Sequence, residues 1–450
     1  MLQRSLAAGL LHRALRLARQ TALGLTMTGV LAAAESSAAK AILLAREATA
    51  AADAKDYPAY LAKMESAAEL RPDFPRILVN LAAAQVANER PEEAVATLER
   101  LAALGMNSPV DKSDDFAPLR GRKDFDAVVK KLAANLYPTG EGEIAFTLRD
   151  VTGLIEGIAW REKTGEFYFG DVNGRAVWTK NKDGTLKRFT SEKEELLGVF
   201  GLAVDEARGT LWAATSAVPG MRGFTPEQDG TAALAEIDLD SGAVRRVIPV
   251  VRRPGDQQSH VLGDLALLRD GTVLATDSGG PTIWRLAPGA NALEPAVESA
   301  EFMSLQGILV LADDSLVVSD YATGLLRISA DLREVRELVP PANTTLVGLD
   351  GLALAPNGDV IAVQNGLRPN RVLRIAFDAA HENVTGVTVL EAAHLTMAAP
   401  SLGCVVNDGY FYFVGNAGWT RFENTDGQPS SPRSVPIFKT KVGEDQAKKK

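Results

Sequence analysis

The fold is decided by the segment Leu349-Asp350-Gly351-Leu352-Ala353, a small apolar strand opened by a glycine. A turn at Pro356-Asn357-Gly358-Asp359 and a second, more strongly apolar strand at 359–363 follow it. This arrangement recurs with a period of roughly 45 residues, which is typical of a repeat architecture. The other five copies begin at Ile155-Glu156-Gly157-Ile158-Ala159, Phe200-Gly201-Leu202-Ala203-Val204, Leu262-Gly263-Asp264-Leu265-Ala266, Leu305-Gln306-Gly307-Ile308-Leu309 and Ser401-Leu402-Gly403-Cys404-Val405.

Most copies also contain a third strand, as in Thr282-Ile283-Trp284-Arg285-Leu286, so that each unit has about four strands. A four-stranded unit of this length cannot bury both of its faces alone, whereas units stacked radially around a channel can. The sequence therefore predicts a mainly β fold, a six-bladed β-propeller over residues 143–440. The lone strand from Glu143 to Leu148 is predicted to complete the sixth blade and to close the ring.

Residues 36–136 have a different composition, rich in Ala, Leu, Glu and Arg, with apolar residues at helical spacing. Two prolines, Pro75 and Pro91, stand where new helices would begin. The stretch from Arg76 to Met106 resembles a tetratricopeptide repeat, and residues 114–132 are predicted to cover its last apolar face. We therefore predict an N-terminal α-helical, tetratricopeptide-like domain. It would be either a groove for a peptide or neighbouring subunit, or a structural appendage.

The two ends of the chain are predicted to lie outside these domains. Residues 1–34 contain no acidic residue and place arginines ahead of an apolar stretch at 21–34, which is the order of a secretory signal. A transit peptide and a first helix of the following bundle are the alternatives. The prediction is thus an exported, periplasmic or secreted protein, with an organelle-targeted or cytoplasmic one as the alternative. The apolar stretch is too short for a stable membrane span, and residues 441–450 are predicted to be a disordered tail.

Composition narrows the possible functions. The chain has 48 Lys and Arg against 57 Asp and Glu, a net charge of −9, so its field repels a phosphate backbone and nucleic acid is not an expected partner. A single cysteine, Cys404, excludes an internal disulfide and a multi-cysteine metal site, and its apolar surroundings indicate a core position. Four histidines are too few for a histidine-rich cage. Any metal is therefore expected to be a hard cation held by oxygen.

Chemistry is expected at the centre of the propeller. The first strand of every blade lines the channel, so the residue just before each recurring glycine position should face the axis. Six residues hold that place: Glu156, Phe200, Gly263, Gln306, Asp350 and Leu402. Two carboxylates crowded at a narrow axis repel each other unless they are protonated or bridged by a cation. We predict a divalent cation on Glu156, Gln306 and Asp350, Ca²⁺ in the first place and Mg²⁺, Mn²⁺ or Zn²⁺ otherwise; the alternative is that these side chains bind channel water and one another.

Several phrases carry a family resemblance. They are Glu156-Gly157-Ile158-Ala159-Trp160, Asp350-Gly351-Leu352-Ala353 and the blade endings Thr276-Asp277-Ser278-Gly279-Gly280 and Ser319-Asp320-Tyr321-Ala322-Thr323-Gly324. Over residues 143–440 the chain resembles the senescence marker protein, gluconolactonase and luciferin-regenerating enzyme group. The resemblance implies a divalent metal held by a Glu of the first blade, an Asn of the fourth and an Asp of the fifth. Glu156 and Asp350 match, Gln306 stands in place of the Asn, and the third-blade Asn of the group is replaced by Gly263 followed by Asp264.

Two functional hypotheses of different classes follow. The first is a metal-dependent hydrolase of a lactone or related cyclic ester, with Asp350 or Asp264 as general base. In that hypothesis His260, which follows a long polar insertion before the third blade, is a candidate proton shuttle, and the alternative is a solvated loop residue. The second hypothesis is a non-catalytic propeller that binds a small ligand in the channel or a protein partner at the helical domain.

Overall fold

The computed structural model describes residues 36–192, 196–252, 258–423, 425 and 427–442, which form a helical domain followed by a ring of sheets. In this part of the chain no helix is both long and apolar enough to cross a membrane. The expectations for residues 1–34 and for residues 443–450 of the tail lie outside the described residues. The predicted tail begins too early, because Lys441 ends a strand and Val442 is fully buried.

Each sheet of the ring is an antiparallel, four-stranded blade, and the six-bladed propeller is confirmed. Blade 1 consists of β2 Ile155–Arg161, β3 Glu166–Asp171, β4 Ala176–Lys180 and β5 Leu186–Arg188. Blade 2 consists of β6 Gly198–Asp205, β7 Thr210–Ser216, β8 Ala232–Asp238 and β9 Val244–Pro249. Blade 3 consists of β10 Leu262–Leu267, β11 Val273–Asp277, β12 Thr282–Leu286 and β13 Glu294–Glu298. Blade 4 consists of β14 Leu305–Val310, β15 Leu316–Asp320, β16 Gly324–Ile328 and β17 Val335–Leu338. Blade 5 consists of β18 Leu349–Leu354, β19 Val360–Gln364, β20 Arg371–Phe377 and β21 Val384–Ala392. The four strands of a blade follow one another from the innermost to the outermost.

The sixth blade closes the ring with a strand from the start of the propeller. Its strands run from β22 (Gly403–Val405) through β23 (Tyr410–Val414) and β24 (Arg433–Lys441) to β1 (Glu143–Val151) at the outer edge. β1 pairs with β24 along its whole length, so both edges that an open ring would expose are covered. The predicted closure strand is confirmed, and it is three residues longer than the sequence suggested.

The apolar core lies between successive blades. One cluster joins blades 2 and 3 around Trp212 and Trp284, and others join the remaining pairs of neighbours. Trp212 and Trp284 thus serve the packing between two blades. Burying one face of each sheet against the next explains why the units are stable only as a ring.

Five α-helices lie between residues 36 and 142, in the described part of the chain ahead of the propeller. They are α1 Ser37–Asp53, α2 Tyr57–Leu70, α3 Pro75–Ala87, α4 Pro91–Ala103 and α5 Lys123–Ala134, with 3₁₀ turns at Val110–Lys112 and Asp114–Leu119. α3 and α4 each begin at a proline, where the missing N–H has no helical partner to lose. These two helices form the hairpin that resembles a tetratricopeptide repeat. The residues at the packing positions of such a repeat are all buried: Leu78, Leu81, Ala82, Ala94, Leu98 and Leu101.

The helical domain packs on blade 4 through a buried arginine. Arg71 is 2% exposed, and its guanidinium donates to both carboxylate oxygens of Asp73 at 2.8 Å. It also donates to the carbonyl oxygen of Thr323 at 3.3 Å and pairs with Glu337, so it joins the end of α2 to the propeller.

A second buried arginine makes the corresponding contact from blade 5. Arg371 donates through Nη1 to the carbonyl oxygen of Leu104 at 3.1 Å and through Nε to Oε1 of Gln364 at 2.7 Å. The backbone N–H of Asn107 donates to the carbonyl oxygen of Arg368 at 2.8 Å. The helices therefore rest on loops that join second to third strands, at the end of the ring where the first strands begin.

Candidate active site in the propeller channel

A bulge near the start of the first strands aims side chains at the channel. In blade 1 the three-residue step from Ile155 to Ile158 is matched by a two-residue step on β3, and the same shift occurs in blades 2, 4 and 5. The bulge requires glycine because neighbouring first strands approach closely: a Cβ on Gly157 would lie 2.0 Å from the carbonyl oxygen of Phe200. The residue before the glycine is left at the inner edge of its blade.

The side chains at this position interact across the ring. Burial and, after it, the negative charge of Asp350 raise the pKa of Glu156, although blades 1 and 5 are not neighbours. Burial and then the charges of Asp350 and Glu156 raise the pKa of the Tyr321 phenol, on blade 4 opposite blade 1. Groups on blades that do not touch influence each other in this way only where they reach the channel. The structure thus brings Glu156 and Asp350 to the axis, together with a tyrosine that the sequence analysis did not single out.

Three carboxyl groups of the channel have no basic partner. Burial raises the pKa of Glu156 well above its usual range, that of Asp350 to about 6 and that of Asp264 to about 7. Within the described part of the chain, no Lys, Arg or His forms an ion pair with any of them. Uncompensated charges of this kind are protonated or held by a cation.

Asp264 has a different position from Glu156 and Asp350. It takes the place of the bulge glycine in blade 3, and its carboxylate accepts hydrogen bonds from the N–H groups of Leu265 at 2.9 Å and Ile308 at 3.4 Å. It therefore joins the first strands of blades 3 and 4. It also lines a channel cavity of about 240 Å³ whose walls include Cys404. Burial raises the pKa of the Cys404 thiol above its usual range, which leaves it unreactive, although the side chain borders a cavity and is not fully enclosed in the core.

Gln306 is held by two serines. Its Nε2 donates to the hydroxyl of Ser304 at 3.2 Å, and its Oε1 lies 3.5 Å from the hydroxyl of Ser278, which donates to the carbonyl oxygen of Leu305 at 2.7 Å. In the residues that the structure describes, no three Asp, Glu, His or Cys side chains are close enough together to hold one ion. A cation on Glu156 and Asp350 would thus need amide oxygens and water to complete its shell.

Asn365 supplies a further amide beside Asp350. Its Nδ2 donates to Oδ2 of Asp350 at 2.5 Å and to the carbonyl oxygen of Pro400 at 2.8 Å, while its Oδ1 is buried without a hydrogen-bond partner among the described residues. From the sequence, a polar residue at the end of a second strand suggests only a turn-closing role. The position of Asn365 could nevertheless have indicated a role in the site. It directly follows β19, and the residues at the same position in blades 3 and 4, Ser278 and Tyr321, also reach the site.

Trp419 reaches Glu156 from the sixth blade. Its indole N–H donates to Oε2 of Glu156 at 2.7 Å, and its ring centroid lies 5.9 Å from that of Phe200. Trp419 therefore serves the candidate site, and not only the packing between blades. Its sequence position carries no periodic signal, because it lies in a 3₁₀ turn inside a long loop.

His260 is a buried corner residue, so its interpretation as a solvated loop histidine is wrong. It is 2% exposed, and its Nδ1 lies 2.6 Å from Oδ2 of Asp277. Asp277 also accepts from the indole N–H of Trp284 and from backbone N–H groups, and Asp171 and Asp320 close the corners of blades 1 and 4 in the same manner. These aspartates close turns at the blade corners, which is a structural role. The role of His260 as a proton shuttle stays a prediction.

The comparisons with known proteins concern the fold. No family model matches the chain, and no curated protein shows significant sequence similarity to it. Solved structures similar to it include a putative gluconolactonase (17% identity, 67% of this chain and 93% of the other, TM-score 0.45) and a gluconolactonase from Xanthomonas campestris (17%, 65% and 88%, 0.43). A luciferin-regenerating enzyme is similar at 14% identity, over 68% of this chain and 96% of the other, with a TM-score of 0.45. Likeness at this level says nothing about the reaction.

Proposed function

We propose that the protein is a divalent-cation-dependent hydrolase of lactones or related cyclic esters, with its active site at the propeller axis. The observation that carries the proposal is the pair Glu156 and Asp350, two carboxyl groups from distant parts of the sequence that interact at the channel without a basic partner among the described residues.

The donor set fits a hard cation. Carboxylate and amide oxygens are the ligands that Ca²⁺, Mg²⁺ and Mn²⁺ prefer, whereas Zn²⁺ favours nitrogen and sulfur. Glu156 and Asp350 would hold the ion, with Gln306 as the amide ligand. The unpartnered Oδ1 of Asn365 next to Asp350 is a second amide oxygen available to it. A bound cation would polarise the substrate carbonyl and stabilise the oxyanion that forms from it.

The side chains of the channel suffice for the proton transfers of ester hydrolysis. The Asp350 carboxylate would take a proton from a water molecule as that water attacks the carbonyl carbon. The ring C–O bond then breaks, and the same carboxyl group returns the proton to the leaving alkoxide, so that a hydroxy acid is released. Asn365 positions Asp350 through its hydrogen bond. Tyr321, whose raised pKa keeps the phenol protonated, would be a donor on the neighbouring blade 4, opposite Glu156.

Thermal melting with Ca²⁺, Mg²⁺, Mn²⁺, Zn²⁺ and a chelator tests the proposal. A cation at 100 times its dissociation constant should stabilise the native protein by about 2.7 kcal/mol. Asp350→Asn should lose this stabilisation, whereas Glu334→Gln, which removes one negative charge from the exposed surface of blade 4, should keep it. If no cation raises the melting temperature and no lactone is hydrolysed, the non-catalytic binding protein is the better account.

A further inference from the structure

The mouth of the channel has two chemically different halves. Two residues of each blade define the halves: the residue just before the bulge position of the first strand, and the residue directly after the second strand. On blades 3 to 5 these side chains are mostly polar: Ser278, Gln306, Tyr321, Asp350 and Asn365. On blades 6, 1 and 2 they are mostly apolar and buried: Leu402 and Phe200 are 7% and 6% exposed, and Val172 and Ala217 are fully buried. We call the two sets the polar half and the apolar half; Glu156 is the one carboxylate on the apolar side.

Two long loops extend the apolar half outward. Residues 217–231 of blade 2 and the described residues 415–423 and 427–432 of blade 6 pack together, with Met221 and Phe422 fully buried between them. Asn173 ties the two loops to blade 1, because its Nδ2 donates to the carbonyl oxygens of Gly220 at 2.9 Å and Gly427 at 2.8 Å. The wall above the apolar half is therefore a packed structure with its own core.

Two aromatic rings bring this wall to the reacting centre. The ring of Trp419 is partly exposed and stands beside Phe200, and its N–H holds Glu156. A molecule whose carbonyl group lies at Glu156 and Asp350 would therefore place its neighbouring atoms over aromatic surface on this side. Aromatic surface of this kind favours alkyl or aryl groups over hydroxyl groups.

Several hydrogen-bond donors of the polar half are already used within the protein. The Ser278 hydroxyl donates to the carbonyl oxygen of Leu305 at 2.7 Å, Gln306 donates to Ser304, and both N–H groups of the Asn365 amide are used by Asp350 and Pro400. A sugar hydroxyl that accepts a hydrogen bond from one of these donors would have to break its present contact, which costs free energy. Oδ1 of Asn365 and the Asp350 carboxylate remain as acceptors.

From these contacts we infer that the substrate of the proposed reaction is a lactone that carries an alkyl or aryl substituent, seated against Phe200 and Trp419. The inference rests on the proposed function, and it assigns the specificity of that site to the apolar half. Phe200 is then a specificity-determining residue, and Trp419 both contacts the substituent and positions Glu156.

A pair of probes on the full chain tests the inference. δ-Decalactone carries an alkyl chain and glucono-δ-lactone carries hydroxyl groups; both are followed by pH-stat in the presence of the cation that gives the largest thermal shift, and binding is followed by calorimetry. We expect kcat/KM at least 10-fold higher for δ-decalactone. Phe200→Ala should raise KM for δ-decalactone about 10-fold with little change in kcat, and leave KM for glucono-δ-lactone unchanged.

Controls separate a specificity effect from a loss of stability. Phe189→Ala removes a similar ring that packs on Tyr168 at the outer part of blade 1, and it should change neither KM; Phe200→Leu keeps an apolar side chain if Phe200→Ala does not fold. Preference for glucono-δ-lactone, or an equal effect of Phe200→Ala on both substrates, overturns the inference and leaves the hydrolase proposal standing. Binding of δ-decalactone that depends on Phe200, without hydrolysis of either lactone, supports the apolar seat and overturns the hydrolase proposal. Binding of neither lactone overturns both.

Discussion

The polar and apolar halves of the channel mouth are supported by different parts of the chain. Helices from outside the propeller support the polar half, through Arg71 and Arg371 on blades 4 and 5. The apolar half is supported from within, by the two long loops whose core contains Met221 and Phe422. The ring places one side chain of each first strand at the channel. The two halves therefore differ both in these side chains and in the part of the chain that is packed above them.

The largest expected effect is on the polar half, from Asp350→Asn. The variant keeps the size of the side chain but removes both the proposed base and a proposed cation ligand, so cation-dependent lactone hydrolysis should fall by a factor on the order of 1,000. Initial rates at saturating cation, with circular dichroism to confirm the fold, measure the effect. Activity equal to that of the wild type would remove Asp350 from the mechanism.

A smaller effect is expected from Arg371→Met, which breaks the contact between the helices and the polar half. The substitution leaves Oε1 of Gln364 and the carbonyl oxygen of Leu104 without their donor, and we expect the free energy of unfolding to fall by about 3 kcal/mol. Urea denaturation measures the loss. Arg333→Met, at an exposed position on blade 4, should change it by less than about 0.5 kcal/mol, and equal losses in the two variants would show that the buried contact does not support the domain.

The smallest effect is a pH-dependent gain in stability from Asp264→Asn. Burial raises the pKa of this carboxyl group from 3.8 to about 7, so between these values the native state holds a proton that the unfolded state has released. Wild-type stability should therefore fall as the pH rises from about 4 to about 7, and the variant should not show this part of the fall.

Melting curves at pH 4.5 and pH 7.5 test this expectation. The variant should gain on the order of 2 kcal/mol over the wild type at the higher pH and little at the lower one. A gain that is the same at both pH values would mean that Asp264 does not titrate in this range.

The fold could be read from the sequence because its signals are local and repeated. The glycine of Asp350-Gly351 and its counterparts mark a bulge, and in most blades neighbouring first strands approach too closely there for a side chain. The regular spacing of these glycines therefore predicted the order of the strands and the inward position of Glu156. The closing strand β1 was also predictable, because the last unit can use the unpaired strand that precedes the first unit as its fourth strand.

Parts of the site could not be predicted because they depend on contacts between loops. Trp419 lies in a non-repeating loop, and its hydrogen bond to Glu156 spans 263 positions in sequence. His260 follows a polar stretch that suggested solvent, but it is buried against Asp277. Asn365 follows a strand end as turn residues do, and only the packing of blade 5 on blade 6 turns its amide toward Asp350.

Crystals soaked in MnCl₂ and measured at a wavelength where manganese scatters anomalously test the central claim most directly. The account predicts one strong anomalous peak at the channel axis, about 2.0–2.6 Å from oxygens of both Glu156 and Asp350. A channel without a peak, or a peak bound to one of these carboxylates alone, would contradict it.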